Sequence, residues 1–333
     1  MDVRRLSVPE WDDALPAEGF EVFHDPDALS VLADHAPGEL RLYGGFKGDR
    51  PVGLFPAFVR EVGVGRVVTS PPPSMAVPRL GPLVMPASPK RRKREKVNRQ
   101  FVDAVLADLG LDGSLSSCRI RCPLSYGDPR PFTWSDLDLR PAFTYVVSAE
   151  ESPAAVRESF SEGLRRELRT LADLDVSVEV GGVEAAHTVY EDLRARYEGR
   201  DEDLGPSWPY VRDLVSALDE RARVYVARSP EGSYLSGVVV LYSNDAAYYW
   251  LGGTSATYEN ATANSLVHWA VLRDLFEDPP VESVDRYDLV GANTERLCRS
   301  KAKFGGELER YYVAETGGLR VDLARRAYSL VRG

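Results

Sequence analysis

Residues 223–253 read RVYVARSPEGSYLSGVVVLYSNDAAYYWLGG, three runs rich in β-branched and aromatic residues separated by PEGS and ND. Such runs favour strands and such breaks favour tight turns, so the stretch predicts three consecutive antiparallel strands. Immediately downstream, ATANSLVHWAVLRDLFED (261–278) predicts a helix, followed by a strand in RYDLVGA (286–292), a short helix around TERLCRSKAKF (294–304), a strand ELERYYVAE (307–315) and a last helix. Upstream, SPAAVRESFSEGLRRELRTLADL (152–174) has a capping Ser152, Pro153 at the first helical position, and Val156, Phe160, Leu164, Leu168 and Leu171 at spacings of three and four. This predicts one amphipathic helix, with Arg165, Arg166 and Arg169 off its buried stripe. A strand in VSVEV (176–180), a helix from 183 closed by Gly199 and a second helix in SWPYVRDLVSALDE (207–220) complete the order β-α-α-β-β-β-α-β-α-β.

The first half carries a fainter copy of this plan. ELRLYGGFKGDRPVGLFPAFV (39–59) and RARVYVARSPEGSYLSGVVVLYS (221–243) each give a strand, a charged glycine-containing turn, and a strand opening with a small-residue kink. A helix precedes the first copy in FHDPDALSVLADHAP (23–37), and another follows in KVNRQFVDAVLADLG (96–110) before the strand SSCRIRC (116–122). The Pro-rich 70–82 reads as a long irregular loop, and 126–143 reads as the join between the halves. The chain has 333 residues, which fits two α/β domains, 1–140 and 141–333.

Composition narrows the function classes. The net charge is −10, and only six of the 41 basic residues are lysine. An acidic chain is not a general nucleic-acid binder, so any polyanion contact must be local, and the acid surplus suits a protein kept soluble by surface carboxylates, as in a high-salt cytoplasm. The N-terminus lacks a signal-peptide core and no window resembles a membrane span, which predicts a cytoplasmic protein. Cys118, Cys122 and Cys298 form no zinc-like set and read as reduced thiols; no metal is expected. The run KRRKREK (90–96) places cations where a helix dipole disfavours them and is the candidate contact for tRNA, a nucleotide-linked substrate or an anionic surface.

The order of elements, taken twice, together with LRRELRTLAD (164–173), YYWLGGTSATYENATANSLVHWAVLRDL (248–275), YDLVGAN (287–293) and SKAKFGGELERYY (300–312), resembles the FemAB-like family of peptidoglycan interpeptide-bridge aminoacyltransferases. The resemblance implies an α/β fold with mixed sheets and two tandem GNAT-like acyltransferase domains, the first degenerate. Lys301, Phe304 and Gly305 match the family's Lys-x-x-Phe-Gly signature, while Ser300 stands where the family usually carries an aromatic residue. The implied activity is transfer of an acyl or aminoacyl group to an amine, from acyl-CoA or aminoacyl-tRNA. The sequence 252–265, GGTSATYENATANS, lacks the Arg/Gln-x-x-Gly-x-Gly/Ala pyrophosphate loop of CoA-dependent GNAT domains.

Direct attack of an amine needs positioning, a proton route and donors for the developing oxyanion, and no Ser-His-Asp or Cys-His constellation. Lys301 is the leading candidate for charge stabilisation. Asp288, inside a strand, is either an outward-facing end residue or a desolvated acid able to accept the amine proton. Arg165, Arg166, Arg169, Asn264, His268 and Tyr258 are the candidate substrate contacts, with Asn264 also a candidate helix cap. Lys303 is expected to face solvent, and Gly305-Gly306 to stop a helix with positive φ. The rival class is a non-catalytic degenerate GNAT pair that binds an anionic ligand.

Overall fold

The computed structural model describes residues 1–63, 65–111, 116–200, 204–253 and 257–317; the last helix expected from the sequence lies outside them. The described chain forms two compact units, one from residues 1–73, 77–142 and 310–317, the other from 74–76 and 143–309.

The first unit opens with two elements that the sequence reading passed over, strand β1 (Asp2–Leu6) and helix α1 (Val8–Ala14). Helix α1 starts on a capping box in which the Ser7 side chain and Glu10 satisfy each other's backbone amides. Helix α2 (Pro26–His35) precedes the hairpin β2 (Glu39–Lys47) and β3 (Arg50–Val62), after which β4 (Gly65–Ser70) adds antiparallel to β3. A short β5 (Leu83–Val84) pairs with β3. Helix α3 (Arg91–Asp108) then carries the chain to β6 (Ser117–Arg121), which lies parallel to β4. The core of this unit packs Phe101, Val102, Val105 and Leu106 of α3 against Phe55, Ala57, Val68 and Ile120 of the sheet, all nearly or wholly buried. The stretch expected to be a simple join instead holds helix α4 (Arg130–Trp134) and most of the 12-residue strand β7 (Leu137–Ser148).

The second unit departs from the expected single helix over 152–174. Two helices form, α5 (Pro153–Ser159) and α6 (Glu162–Asp173), because Ser161 caps a new start by accepting the Leu164 amide at 3.2 Å. The apolar stripe survives the break, since Val156, Phe160, Leu164, Leu168 and Leu171 are all buried. Strand β8 (Ser177–Gly181) and helices α7 (Val183–Glu198) and α8 (Trp208–Leu218) follow. The opening stretch forms the meander β9 (Ala222–Arg228), β10 (Tyr234–Tyr242) and β11 (Ala246–Gly252), with β8 antiparallel on the outer side of β9. After the small hairpin β12 (Thr257–Tyr258) and β13 (Ala261–Thr262), helix α9 (Ala263–Glu277) crosses over to β14 (Arg286–Asp288). Strand β14 lies parallel to β11 on one side and antiparallel to β7 on the other. Helix α10 (Glu295–Lys301) continues as a 3₁₀ turn to Phe304, and β15 (Glu307–Thr316) ends the described chain.

The strand expected over 286–292 is only three residues long. Val290 adopts φ 49°, a left-handed conformation that a β-branched residue enters only under strong constraint, and it ends the strand. The expected glycine stop is present at Gly305, with φ 70°; a Cβ there would lie 2.4 Å from Ser159 Oγ. Gly306 lies outside the left-handed region and leads into β15.

Candidate active site of the second unit

The β11–α9–β14 crossover decides where a ligand could sit. Backbone pairing of the two parallel strands stops at the Tyr248–Asp288 rung. Beyond it the chain leaving β14 stays with β7, since the Leu289 amide donates to Tyr145 O at 2.9 Å and the Ala292 amide to Phe143 O at 2.8 Å. Strand β11 continues to Gly252 and stays with β10. The two strands therefore part at their carboxyl ends, where the start of α9 also lies. In open α/β sheets such a parting is where ligands bind.

Lys301 reaches this point from α10. Its residue is 8% exposed, and Nζ donates to Val290 O at 2.5 Å and to Gly291 O at 3.0 Å. The same ammonium lies 5.5 Å from the centroid of the Tyr249 ring on β11. Burial pushes the Lys301 pKa down to about 8, against a smaller opposing pull from the Asp288 carboxylate. A lysine held this way is mostly protonated at neutral pH and poorly hydrated, which strengthens its action on any charge placed beside it.

Asp288 is 1% exposed. Its Oδ1 accepts from Thr144 Oγ1 at 2.5 Å and from the Val290 amide at 2.7 Å, and Thr144 Oγ1 in turn accepts the Gly291 amide at 3.1 Å. Asp288 and Thr144 thus hold the amides of the 290–291 turn, and Lys301 holds its carbonyls. Asp288 is thus buried and not an outward-facing end residue. The strained Val290 is clamped from both sides.

His268, on α9, is buried, and its Nδ1 shares a 2.8 Å hydrogen bond with Tyr287 Oη. Its ring meets Tyr249 and Phe304 edge to face at 4.7 and 5.0 Å. Burial first, then the nearby Lys301 and Lys303 charges, push its pKa down to about 3, so the imidazole is neutral at pH 7. Tyr249, whose hydroxyl donates to Gly252 O at 2.6 Å, is pushed by burial up to about 12 and stays un-ionised.

Asn264 lies inside α9 rather than at its cap, which is Thr262, and Asn264 Oδ1 accepts from Ser236 Oγ at 3.3 Å. Tyr258 is half-buried on the β12–β13 hairpin. On α6, Arg166 is exposed and paired with Glu162 at 3.3 Å, Arg169 is exposed and Arg165 half-buried. Lys301, Asp288 and His268 gather around the end of β14, and none of the hydrogen bonds or ion pairs found joins the three arginines to them.

Sequence reasoning missed Glu167. This α6 carboxylate stands at the start of α9, accepting from Ser265 Oγ at 2.6 Å and from Lys303 Nζ at 3.2 Å, and Lys303 Nζ also donates to Ser265 Oγ at 2.8 Å. Lys303 is therefore an ion-pair partner and not the solvent-facing residue expected. Helix α9 has no acidic residue in its first turn and no side-chain cap of its own, so a carboxylate from another helix takes the place its dipole favours. Its only trace in the sequence is an acid set among the arginines of 164–169.

Residues 158–296, inside the second unit, match the family model described as "Acetyltransferase (GNAT) domain". No curated protein matches the chain by sequence. Among solved structures, one titled "Crystal structure of FemX" covers 100% of both chains with a TM-score of 0.69 at 12% identity. The C-terminal domain of a putative lysylphosphatidylglycerol synthetase from Agrobacterium fabrum gives a TM-score of 0.54 at 13% identity, over 97% of this chain and 96% of that one. A conserved protein of unknown function from Bacteroides thetaiotaomicron gives 0.56 at 9% identity, over 94% and 98%. The chain shares the overall fold of FemX, and its residues 158–296 fit the pattern of a GNAT acetyltransferase domain. No helix among the described residues is long and apolar enough to cross a membrane.

Proposed function

We propose that the second unit transfers an acyl or aminoacyl group to an amine by direct attack at the parted ends of β11 and β14. The observation that carries this reading is the buried Lys301 ammonium, fixed beside the end of a parallel strand by two carbonyls and no directly bonded carboxylate. Its charge is available to the oxyanion that develops at the acyl carbon. The Asp288 charge favours the protonated form of Lys301, against the larger effect of burial, and Asp288 holds the 290–291 turn; its Oδ1 already accepts two bonds, so a water is the better carrier of the amine proton. A CoA pyrophosphate at the start of α9 would have to displace the Glu167 carboxylate, which favours an aminoacyl ester, such as an aminoacyl-tRNA, as donor. A cytoplasmic setting and tRNA contact through the exposed Arg92, Lys93 and Lys96 belong to the same reading.

The test is a screen of the purified chain with acyl-CoA and aminoacyl-tRNA donors against mixed amine acceptors. Turnover with an aminoacyl donor that collapses in Lys301→Met, with the fold retained by circular dichroism, is the expected result. Silence across all donors, with an anionic ligand still bound, would favour a binding protein.

A further inference from the structure

A cavity of about 900 Å³ opens in the first unit, and its wall joins charged residues of α3 and α4 to an apolar strip formed by Val84, Met85, Leu139 and Tyr312. Three guanidiniums and two carboxylates line it, and they are unequally committed. Arg130 is held in a fork by Asp128 at 2.7 and 2.9 Å and also pairs with Glu95 at 2.9 Å. Arg91 pairs with the same Glu95 at 2.9 Å. Arg94 has no carboxylate; its Nη1 alone is engaged, donating to Pro89 O at 2.9 Å and to Ser88 O at 3.2 Å. The Nε and Nη2 edge of Arg94 is left over, and that edge matches two oxygens of one acidic group. Arg94 also stands in the first turns of an 18-residue helix whose first turn holds no acid, where the dipole adds to the unmet positive charge.

We propose that this cavity binds an amphiphilic monoanion, its carboxylate or phosphodiester head on the Nε/Nη2 edge of Arg94 and its apolar body along Val84, Met85, Leu139 and Tyr312. One uncompensated cation fits one negative charge, and the apolar strip supplies what a bare inorganic anion would not use. Asn98 and Tyr126, deeper in the wall, are bonded to each other at 2.9 Å, and Asn98 donates to Asp128 O at 2.7 Å, so they shape the floor rather than compete for the head group.

The experiment is calorimetric titration of the full chain with octanoate, with dibutyl phosphate, with inorganic phosphate and with octanol. Octanoate or dibutyl phosphate should saturate one site, and whichever binds more tightly identifies the head group. Inorganic phosphate and octanol, each lacking one half of the ligand, should bind at least tenfold more weakly. Arg94→Gln should weaken the preferred probe at least tenfold, and Leu139→Ser should weaken it while leaving the response to inorganic phosphate unchanged. Thermal melting checks that both variants fold. The proposal is overturned if neither amphiphile binds, if Arg94→Gln leaves the affinity unchanged, or if inorganic phosphate binds as tightly as the amphiphiles.

Discussion

The two units build the same device and finish it differently. In each, a strand, a helix and a parallel strand form one crossover: β4–α3–β6 in the first, β11–α9–β14 in the second. In the first unit the carboxyl ends of the parallel strands are closed by the chain itself. The Leu80 amide donates to Arg121 O at the end of β6, and the Gly81 amide to Ser70 Oγ at the end of β4. Behind this plug Arg79, 1% exposed, makes a fork of 2.8 and 2.9 Å with Glu21, which also accepts the Leu124 amide. The Arg79 charge holds the Glu21 carboxyl below its usual range in spite of burial. In the second unit the strand ends part, and the buried cation there is hydrogen-bonded to two carbonyls and lies over a ring, with the Asp288 carboxylate acting on it through its charge and not through a direct bond. A buried cation matched by a forked carboxylate is finished structure. One bonded to neutral carbonyls, with no carboxylate in direct contact, keeps more of its field.

That contrast can be broken most sharply in the first unit. Arg79→Leu leaves Glu21 buried without its counter-ion and should remove about 3–5 kcal/mol of stability, read by urea unfolding. Transfer activity per folded molecule should be unchanged. A loss below about 1 kcal/mol would mean that the pair is not the keystone of the plug. Lys301→Met should do the reverse, lowering turnover about 10²–10³-fold, as removal of an oxyanion donor does, with no loss of stability.

The same substitution sharpens the comparison through pH. Lys301 has a folded pKa of about 8 against an ordinary 10.5, so between those values the unfolded chain holds a proton that the folded chain has released. Stability should therefore rise with pH across that window, by up to about 3 kcal/mol more in the parent than in Lys301→Met. The penalty is fully present below pH 8, and parallel curves for the two proteins would show that Lys301 is better hydrated than its burial implies. The smallest effect is expected at Glu167. Glu167→Ala should cost about 1 kcal/mol, as loss of a helix cap does, and should let inorganic pyrophosphate bind at the start of α9. Unchanged pyrophosphate binding, measured by calorimetry, would remove the argument against CoA.

The meander of 222–252 was legible because its β-branched and aromatic runs are long and their turns short, so local preference and tertiary pairing agree. The crossover helices α3 and α9 were legible for the same reason. Lys301 was singled out by its place in a matched signature, and Asp288 by being an acid in a strand. Glu167 was hidden because its partners, Ser265 and Lys303, lie about 100 and 136 positions away in the chain. The break at Ser161 was hidden because apolar spacing continues across it and a serine cap reads the same inside a helix as at its start.

What the sequence by itself determined was the set of elements and their order, since periodicity, caps and turn residues act within a few positions. What only the tertiary structure decided was which cations are neutralised. Charge pairing depends on distance and burial, and nothing beside Arg79 or Lys301 along the chain reveals which of these two buried cations finds a carboxylate in direct contact. Arg79 finds Glu21, 58 positions away, and becomes structure; Lys301 finds two carbonyls and is left with its charge to use.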